Sequence, residues 1–296
     1  MAAGVLTFGR RHLLKVVHGS WQPRAKVDMF QLLSYQPGGR KVSVSGGTFA
    51  TRPRFGIIIA LVILSLFLGH FPVCDLILAP VNTFVTAVHE MGHAVACLAT
   101  GGNVSGMTIV SDSEGHGGLT FCRGGIPFIY SQAGYLGAAL FGCLLIALGR
   151  FPRLSKVVLV LIGSAICLAS LFLMSGTIFH QGRILEGLGS MFWGLLIGAG
   201  FIWGGVKLRL ASANLLLLFI AVQTALNALS GVGFLVQQSF GMFPGTWSDA
   251  SNMAQMTGIP AFIWALFWAS SSIVMVGATL WWTYMSERKG TGGLLS

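Results

Sequence analysis

Pro80-Val81-Asn82-Thr83-Phe84-Val85-Thr86-Ala87-Val88-His89-Glu90-Met91-Gly92-His93-Ala94-Val95-Ala96-Cys97-Leu98-Ala99-Thr100-Gly101-Gly102 is one helix's length of mostly apolar sequence with an ionisable triplet in its middle. Pro80 suits the first turn of a helix and Gly101-Gly102 its end, so the stretch predicts a helix from Pro80 to Thr100. His89 and His93 stand at i and i+4 with Glu90 beside the first, the H-E-x-x-H spacing. On a helix these two imidazoles share one face about one turn apart, so both can bind a single zinc ion from a fixed backbone. Glu90 would reach a zinc-activated water without ligating the metal, take its proton and hand it to a leaving amine. Seven His and four Glu in 296 residues give an expectation of roughly 0.002 such patterns, so chance is a poor source for it. The bland alternatives are a hydrogen-bonded pair of helical histidines, a haem site or a non-catalytic metal site. Against them, an ionisable triplet in an apolar helix is costly and tends to be functional.

The surroundings of this helix exclude an ordinary soluble enzyme. Hydrophobic residues make up 54% of the chain and charged residues 9%, against about 25% charged in a soluble domain. Intervals free of formal charge run over 55–74, 124–149, 157–182, 187–206, 210–248 and 250–286, each long enough for the ~20 apolar residues that cross a bilayer. The expected fold is therefore an all-α polytopic membrane protein of about 6–7 transmembrane helices, embedded in the lipid bilayer. Expected spans are about 55–72, 80–100, 134–149, 157–175, 190–206, 210–236 and 260–284, with close packing through small residues such as Gly194, Gly198, Gly200, Gly204 and Gly205. Residues 103–131 break the helical pattern: Val104, Met107 and Ile109, then the polar run 111–115, then Leu119 and Phe121, read as a small β-hairpin.

Nine of the eighteen Lys and Arg fall in residues 1–54 beside one acid, which makes that segment a basic, loosely structured N-terminal tail. The net charge of +10 thus points to a tail and basic turns, with no nucleic acid as partner. Residues 55–285 form the membrane domain and 286–296 a short C-terminal tail. A cytoplasmic tail followed by seven crossings conflicts with the rule that short cytoplasmic loops carry Lys and Arg, because it sends Arg150, Arg153, Lys156, Lys207, Arg209, Arg288 and Lys289 to the far side. Either one segment does not cross or the tail does not set the topology. The five cysteines, Cys74, Cys97, Cys122, Cys143 and Cys167, show no ligand spacing and read as small core residues. The late aromatic series Trp264, Trp268, Trp281, Trp282 and Tyr284 reads as an interfacial anchor.

The motif His89-Glu90-Met91-Gly92-His93-Ala94, then Thr100-Gly101-Gly102, then Gly117-Gly118-Leu119-Thr120, then Ala133-Gly134-Tyr135-Leu136-Gly137, resembles the membrane zinc metallopeptidases of the site-2 protease type, specifically their B-like branch, over about residues 55–285. The resemblance implies hydrolysis of peptide bonds within or beside the membrane, zinc (Zn2+) as cofactor, a membrane protein or peptide as substrate partner, and a buried site reached by a locally unwound substrate. It also implies a multi-pass protein of a bacterial inner membrane or an equivalent organelle membrane.

A catalytic zinc takes three protein ligands, and site-2 proteases supply the third from an Asp-Gly motif on a later helix. No Leu-Asp-Gly occurs here. The chain holds eight carboxylates, which leaves Asp249, Glu186, Asp112 and Glu114, with His116 and His180, as candidates. His93 lies about seven residues before its helix ends, or ~10 Å below the hairpin-side surface. Asp249 ranks first because the 237–259 loop shares that side; capping of the next helix is its alternative role. The loop after 175 is expected on the opposite side, which demotes Glu186 and His180. Family members carry an Asn beside the Asp ligand, which makes Asn227 the expected assisting residue, with Gln223 nearby and an interhelical contact as the alternative. The expected function is an intramembrane zinc metalloprotease with His89, His93 and Asp249 on the metal and Glu90 as base then acid. The competing classes are a zinc-binding membrane scaffold without proteolysis and a metal transporter, the latter short of polar residues along its helices.

Overall fold

The computed structural model describes residues 55–68, 71–111, 117–226 and 248–285; these belong to the second of two compact units, 48–296. The basic tail, the C-terminal tail, the hairpin tip with Asp112, Glu114 and His116, and Asn227 lie outside the described residues. In chain order come α1 (Phe55–Leu68), α2 (Pro72–Ala99), β1 (Asn103–Thr108), β2 (Leu119–Arg123), α3 (Pro127–Gly149), α4 (Pro152–Ala169) running through a widened turn (Ser170–Met174) into α5 (Ser175–Gln181), α6 (Ile184–Lys207), α7 (Leu210–Ala225), α8 (Asp249–Thr257) and α9 (Ala261–Leu280).

Four of the described helices are long and apolar enough to cross a membrane: Pro127–Gly149, Pro152–Gln181, Ile184–Lys207 and Ala261–Thr283. Phe55–Leu68 and Leu210–Ala225 are shorter apolar helices, so the structure supports a multi-pass membrane protein with four candidate spans. Their outward faces carry bare hydrocarbon, with Leu140 64%, Phe192 63% and Val274 69% exposed. Such surfaces are stable against lipid and unfavourable against water.

Three helices begin at a proline, Pro72, Pro127 and Pro152, where the missing N–H is one that the first helical turn leaves unpaired anyway. The first of these corrects the predicted start at Pro80, which sits inside α2. Both prolines satisfy the same sequence rule, and the helix starts at the earlier one. The far end of α2 follows expectation: Thr100 caps it and Gly101 takes the left-handed φ of 84°.

The predicted hairpin is an antiparallel pair in which Val104 faces Cys122, Met107 faces Thr120 and Thr108 faces Leu119. It is shorter than 103–131, because helix α3 has already started at Pro127. The strands are fastened at both edges. On one side the Thr177 hydroxyl donates to the Met107 carbonyl at 2.9 Å and the Ile109 amide donates to Ser190 Oγ at 2.9 Å. On the other, Cys97 of α2 and Cys122 of β2 form a disulfide, correcting their reading as plain core residues; Cys143 is buried and free. Spacing gave no hint of the pairing, because 25 residues of helix end, turn and strand separate the two thiols. Closing a loop of that length contributes about 3 kcal/mol, so Cys122→Ser is expected to lower the apparent Tm by about 5–10 °C in detergent. Alkylation of the unreduced, denatured chain should leave Cys97 and Cys122 unmodified while labelling Cys143 and Cys167.

The membrane core is built from α1, α2, α3, α4, α6 and α7, with Phe84 edge-on to Phe201 and Ile58, Leu159, Leu217 and Ile220 wholly buried. As expected from small residues, α6 packs closely on α4, where a side chain at Gly198 or Gly205 would meet the α4 backbone. Two ends of the bundle differ in charge. At one, the Arg150 guanidinium lies over Trp282, Lys156 donates to the Val206 carbonyl, and Ser155 bonds Asn214; Arg153, Lys207 and Arg209 belong to the same turns. At the other are the hairpin, α5, the start of α6, and the contact of Phe128 with Trp264. The segment after residue 175 therefore lies beside the hairpin, which corrects its expected placement on the opposite side. Residues 152–181 form one rod that begins at the basic end, so residue 175 must emerge at the hairpin end.

Candidate metal centre

His89 and His93 project from α2 one turn apart, and Asp249, the first residue of α8, meets them. Asp249 Oδ2 lies 3.0 Å from His89 Nε2 and 3.3 Å from His93 Nε2, and the two Nε2 atoms are 3.0 Å apart. A tetrahedral zinc with bonds of about 2.0–2.1 Å spaces its ligand atoms about 3.3 Å apart, so this triangle has the dimensions of a zinc face. Its chemistry fits as well. The Tyr130 carbonyl accepts from His93 Nδ1–H at 2.6 Å, which leaves His93 Nε2 as a lone pair aimed at the other two acceptor atoms. Converging lone pairs are stable around a cation. Among the described residues, these three are the group of His, Cys, Asp and Glu that could hold a metal ion.

Several features bring Asp249 in. The polar stretch read as a loop over 237–259 contains helix α8, which starts at the site itself. Its N-cap is Ser248, whose hydroxyl accepts from the Ser251 amide at 3.2 Å, so the capping alternative for Asp249 is taken by its neighbour. Ala250 and Met253 bury the other face of α8 against Ala265 and Trp268 of α9, with Tyr135 at the edge. Burial opposes the charge on Asp249, and the facing imidazoles of His93 and His89 lower its carboxyl only while they carry protons, a role that a bound cation would take over with both Nε2 atoms free.

Helix α3 closes the site from above. Gly134 leaves its backbone against the imidazoles: a side-chain carbon there would meet His93 Nε2 and come within 2.5 Å of His89 Nε2. Tyr135 sits edge-on to His89 at 4.5 Å and stacks on Trp268 at 5.0 Å. Trp268 is thus an internal support, 1% exposed, rather than the interfacial anchor its position in the sequence suggested, whereas Trp281 and Trp282 are exposed. Glu90 is 5% exposed and accepts from the Thr120 hydroxyl of β2 at 2.6 Å. The other candidates stand apart: Glu186 faces Arg183 at 3.9 Å, and His180 is exposed at the end of α5.

The site is now defined by two His on one helix, a carboxylate from a distant short helix, and a buried glutamate beside them. The Peptidase M50B-like family matches residues 55–279. The chain belongs to that family. That family is of the site-2 protease type, membrane metallopeptidases that depend on zinc. Comparison with curated proteins and with solved structures finds no match. Within this M50B-like chain, the sequence presents Gly134 and Tyr135 in the Ala133–Gly137 motif and Thr120 in the Gly117–Thr120 motif without a place at the site for any of them, and Tyr130 goes unmarked. Residues 130 and 134 stand one turn apart on the part of α3 that meets the two imidazoles.

Proposed function

We propose that the protein is an intramembrane zinc endopeptidase acting on membrane protein or peptide substrates, with His89, His93 and Asp249 holding the metal. The observation that carries this reading is the ligand triangle of 3.0, 3.0 and 3.3 Å beside a buried Glu90 in a chain of a peptidase family. Bound zinc supplies Lewis acidity, polarising the scissile carbonyl and acidifying a water. Tyr130 fixes the tautomer of His93 through Nδ1, and Gly134 keeps the space over both imidazoles clear. The Glu90 carboxylate accepts the proton of the attacking water and returns it to the leaving amine nitrogen. Asn227 is proposed to assist from the segment between α7 and α8.

The basic turns at 150–156 and 207–209 support a cytoplasmic placement of that end, with the metal centre nearer the opposite face. A bacterial inner membrane, or an equivalent organelle membrane, is the proposed setting.

The test is reconstitution of the full chain in vesicles with a panel of single-span peptides carrying a fluorophore and quencher on either side of the span. Cleavage is expected, lost on chelation and restored by zinc. Asp249→Ala should lower zinc affinity by at least about 100-fold, read as zinc per chain after dialysis against a weak chelator. One zinc per chain with no cleavage of any peptide would favour the scaffold, and full zinc in Asp249→Ala would remove Asp249 from the site.

A further inference from the structure

Strand β2 and the residue just before it present every second residue to α2. Gly118 lies so close that a side-chain carbon there would come 2.7 Å from Thr86 Cγ2 and 3.0 Å from Glu90 Cγ and Oε1. Two residues on, Thr120 Oγ1 is 2.6 Å from Glu90 Oε2 and 3.0 Å from the Glu90 carbonyl oxygen. Two further on, Cys122 is joined to Cys97. Alternate residues, Gly118 just before the strand and Thr120 and Cys122 within it, thus meet Thr86, Glu90 and Cys97 along one face of the helix.

From this geometry we infer that Thr120 is a positioning residue for Glu90, setting the direction in which the carboxylate takes up and releases its proton. The inference rests on the assignment of Glu90 as general base. A 2.6 Å contact between a hydroxyl and a carboxylate has the length of a charge-assisted bond. It occupies Oε2 and ties the buried carboxylate to the strand, with Gly118 on the side of Oε1, where an added side-chain carbon would come 3.0 Å from that oxygen. The second partner of the hydroxyl, the Glu90 carbonyl oxygen at 3.0 Å, seats Thr120 against the same turn of α2 that carries the carboxylate.

The support behind Thr120 is rigid. Its strand partner Met107 is wholly buried, and the Met107 carbonyl is held by Thr177 from α5 at 2.9 Å. The disulfide fixes the other end of β2 to the same helix that carries Glu90. A base held from a strand that is itself held at both ends retains its aim through a turnover, the requirement for a productive proton transfer.

The experiment compares wild type, Thr120→Val, Thr120→Ser and Glu90→Gln as full-length chains in vesicles, with the quenched peptides above and with a peptide hydroxamate as a probe. The hydroxamate needs no turnover: it chelates zinc and gives a hydrogen bond to the base carboxylate. Thr120→Val is expected to lower kcat about 10- to 100-fold with KM within about twofold, because the loss falls on proton transfer and leaves binding alone. Zinc per chain should remain one, hydroxamate affinity should fall about tenfold, and Thr120→Ser should restore both to within about threefold. In the Glu90→Gln background, Thr120→Val should produce no further loss. Unchanged kcat and hydroxamate affinity in Thr120→Val would overturn the inference, as would equal losses in Val and Ser or a loss of zinc, each of which marks packing alone. Those results leave the general-base assignment standing, which fails separately if Glu90→Gln still cleaves.

Discussion

Glu90→Gln should leave a protein that binds zinc and no longer cuts. The amide has the size and most of the hydrogen-bonding capacity of the carboxylate, so Thr120 can still donate to its oxygen and the packing against Gly118 is preserved. What it lacks is basicity. General-base catalysis contributes about 10²- to 10⁴-fold, and in a buried site no bulk water can substitute for it, so the expected loss in kcat lies at the upper end, about 10³-fold or more. Zinc per chain should equal that of wild type, because the ligand triangle involves His89, His93 and Asp249 only. Cleavage of the peptide panel gives the rate and elemental analysis the metal. Residual cleavage within about tenfold of wild type would remove Glu90 from the chemistry.

The second large effect comes from a substitution that adds a single methyl. Gly134→Ala places a carbon against His93 Nε2 and within 2.5 Å of His89 Nε2, on a helix whose backbone is fixed by Pro127 at its start and by its packing on α2 and α7. Alanine is the better helix former, so local propensity favours the change and α3 should remain intact. The strain therefore falls on the imidazoles, which must tilt away from each other and from Asp249. Overpacking of this kind costs about 1–3 kcal/mol and misdirects two of three ligands, so zinc affinity is expected to fall at least about 100-fold, with cleavage falling in parallel. An unchanged far-UV CD spectrum with lost zinc is the expected pair of readings. Wild-type zinc content in Gly134→Ala would show that α3 yields instead.

How much of this was legible beforehand depends on the range of the interactions. The helix carrying His89, Glu90 and His93 was readable because its signal is local: apolar length, i/i+4 spacing and a glycine stop. Scarcity of acid makes Asp249 the leading candidate, although the short helix it starts does not show in the sequence, since nine residues, four of them Ala or Met, carry little periodicity. The expected placement of the loop after 175 miscounts the crossings: the two spans that follow the hairpin return the chain to the hairpin side, where Thr177 and Ser190 meet β1. The Cys97–Cys122 bond and the grip of Thr120 on Glu90 depend on the register of a strand against a helix, a relation that no local pattern encodes.

The disulfide has a meaning beyond mechanical support. Thiols facing a glutathione-buffered cytosol are held reduced, and those facing an oxidising compartment stay paired. Cys97 and Cys122 lie at the end of the bundle opposite the basic turns, so the seating of β2 on the helix of Glu90 becomes a property of the compartment as well as of the fold. Facing an oxidising space the strand is covalently shut; facing a reducing one the same two residues are free thiols in contact, and the strand that steers the base is held by hydrogen bonds and packing alone.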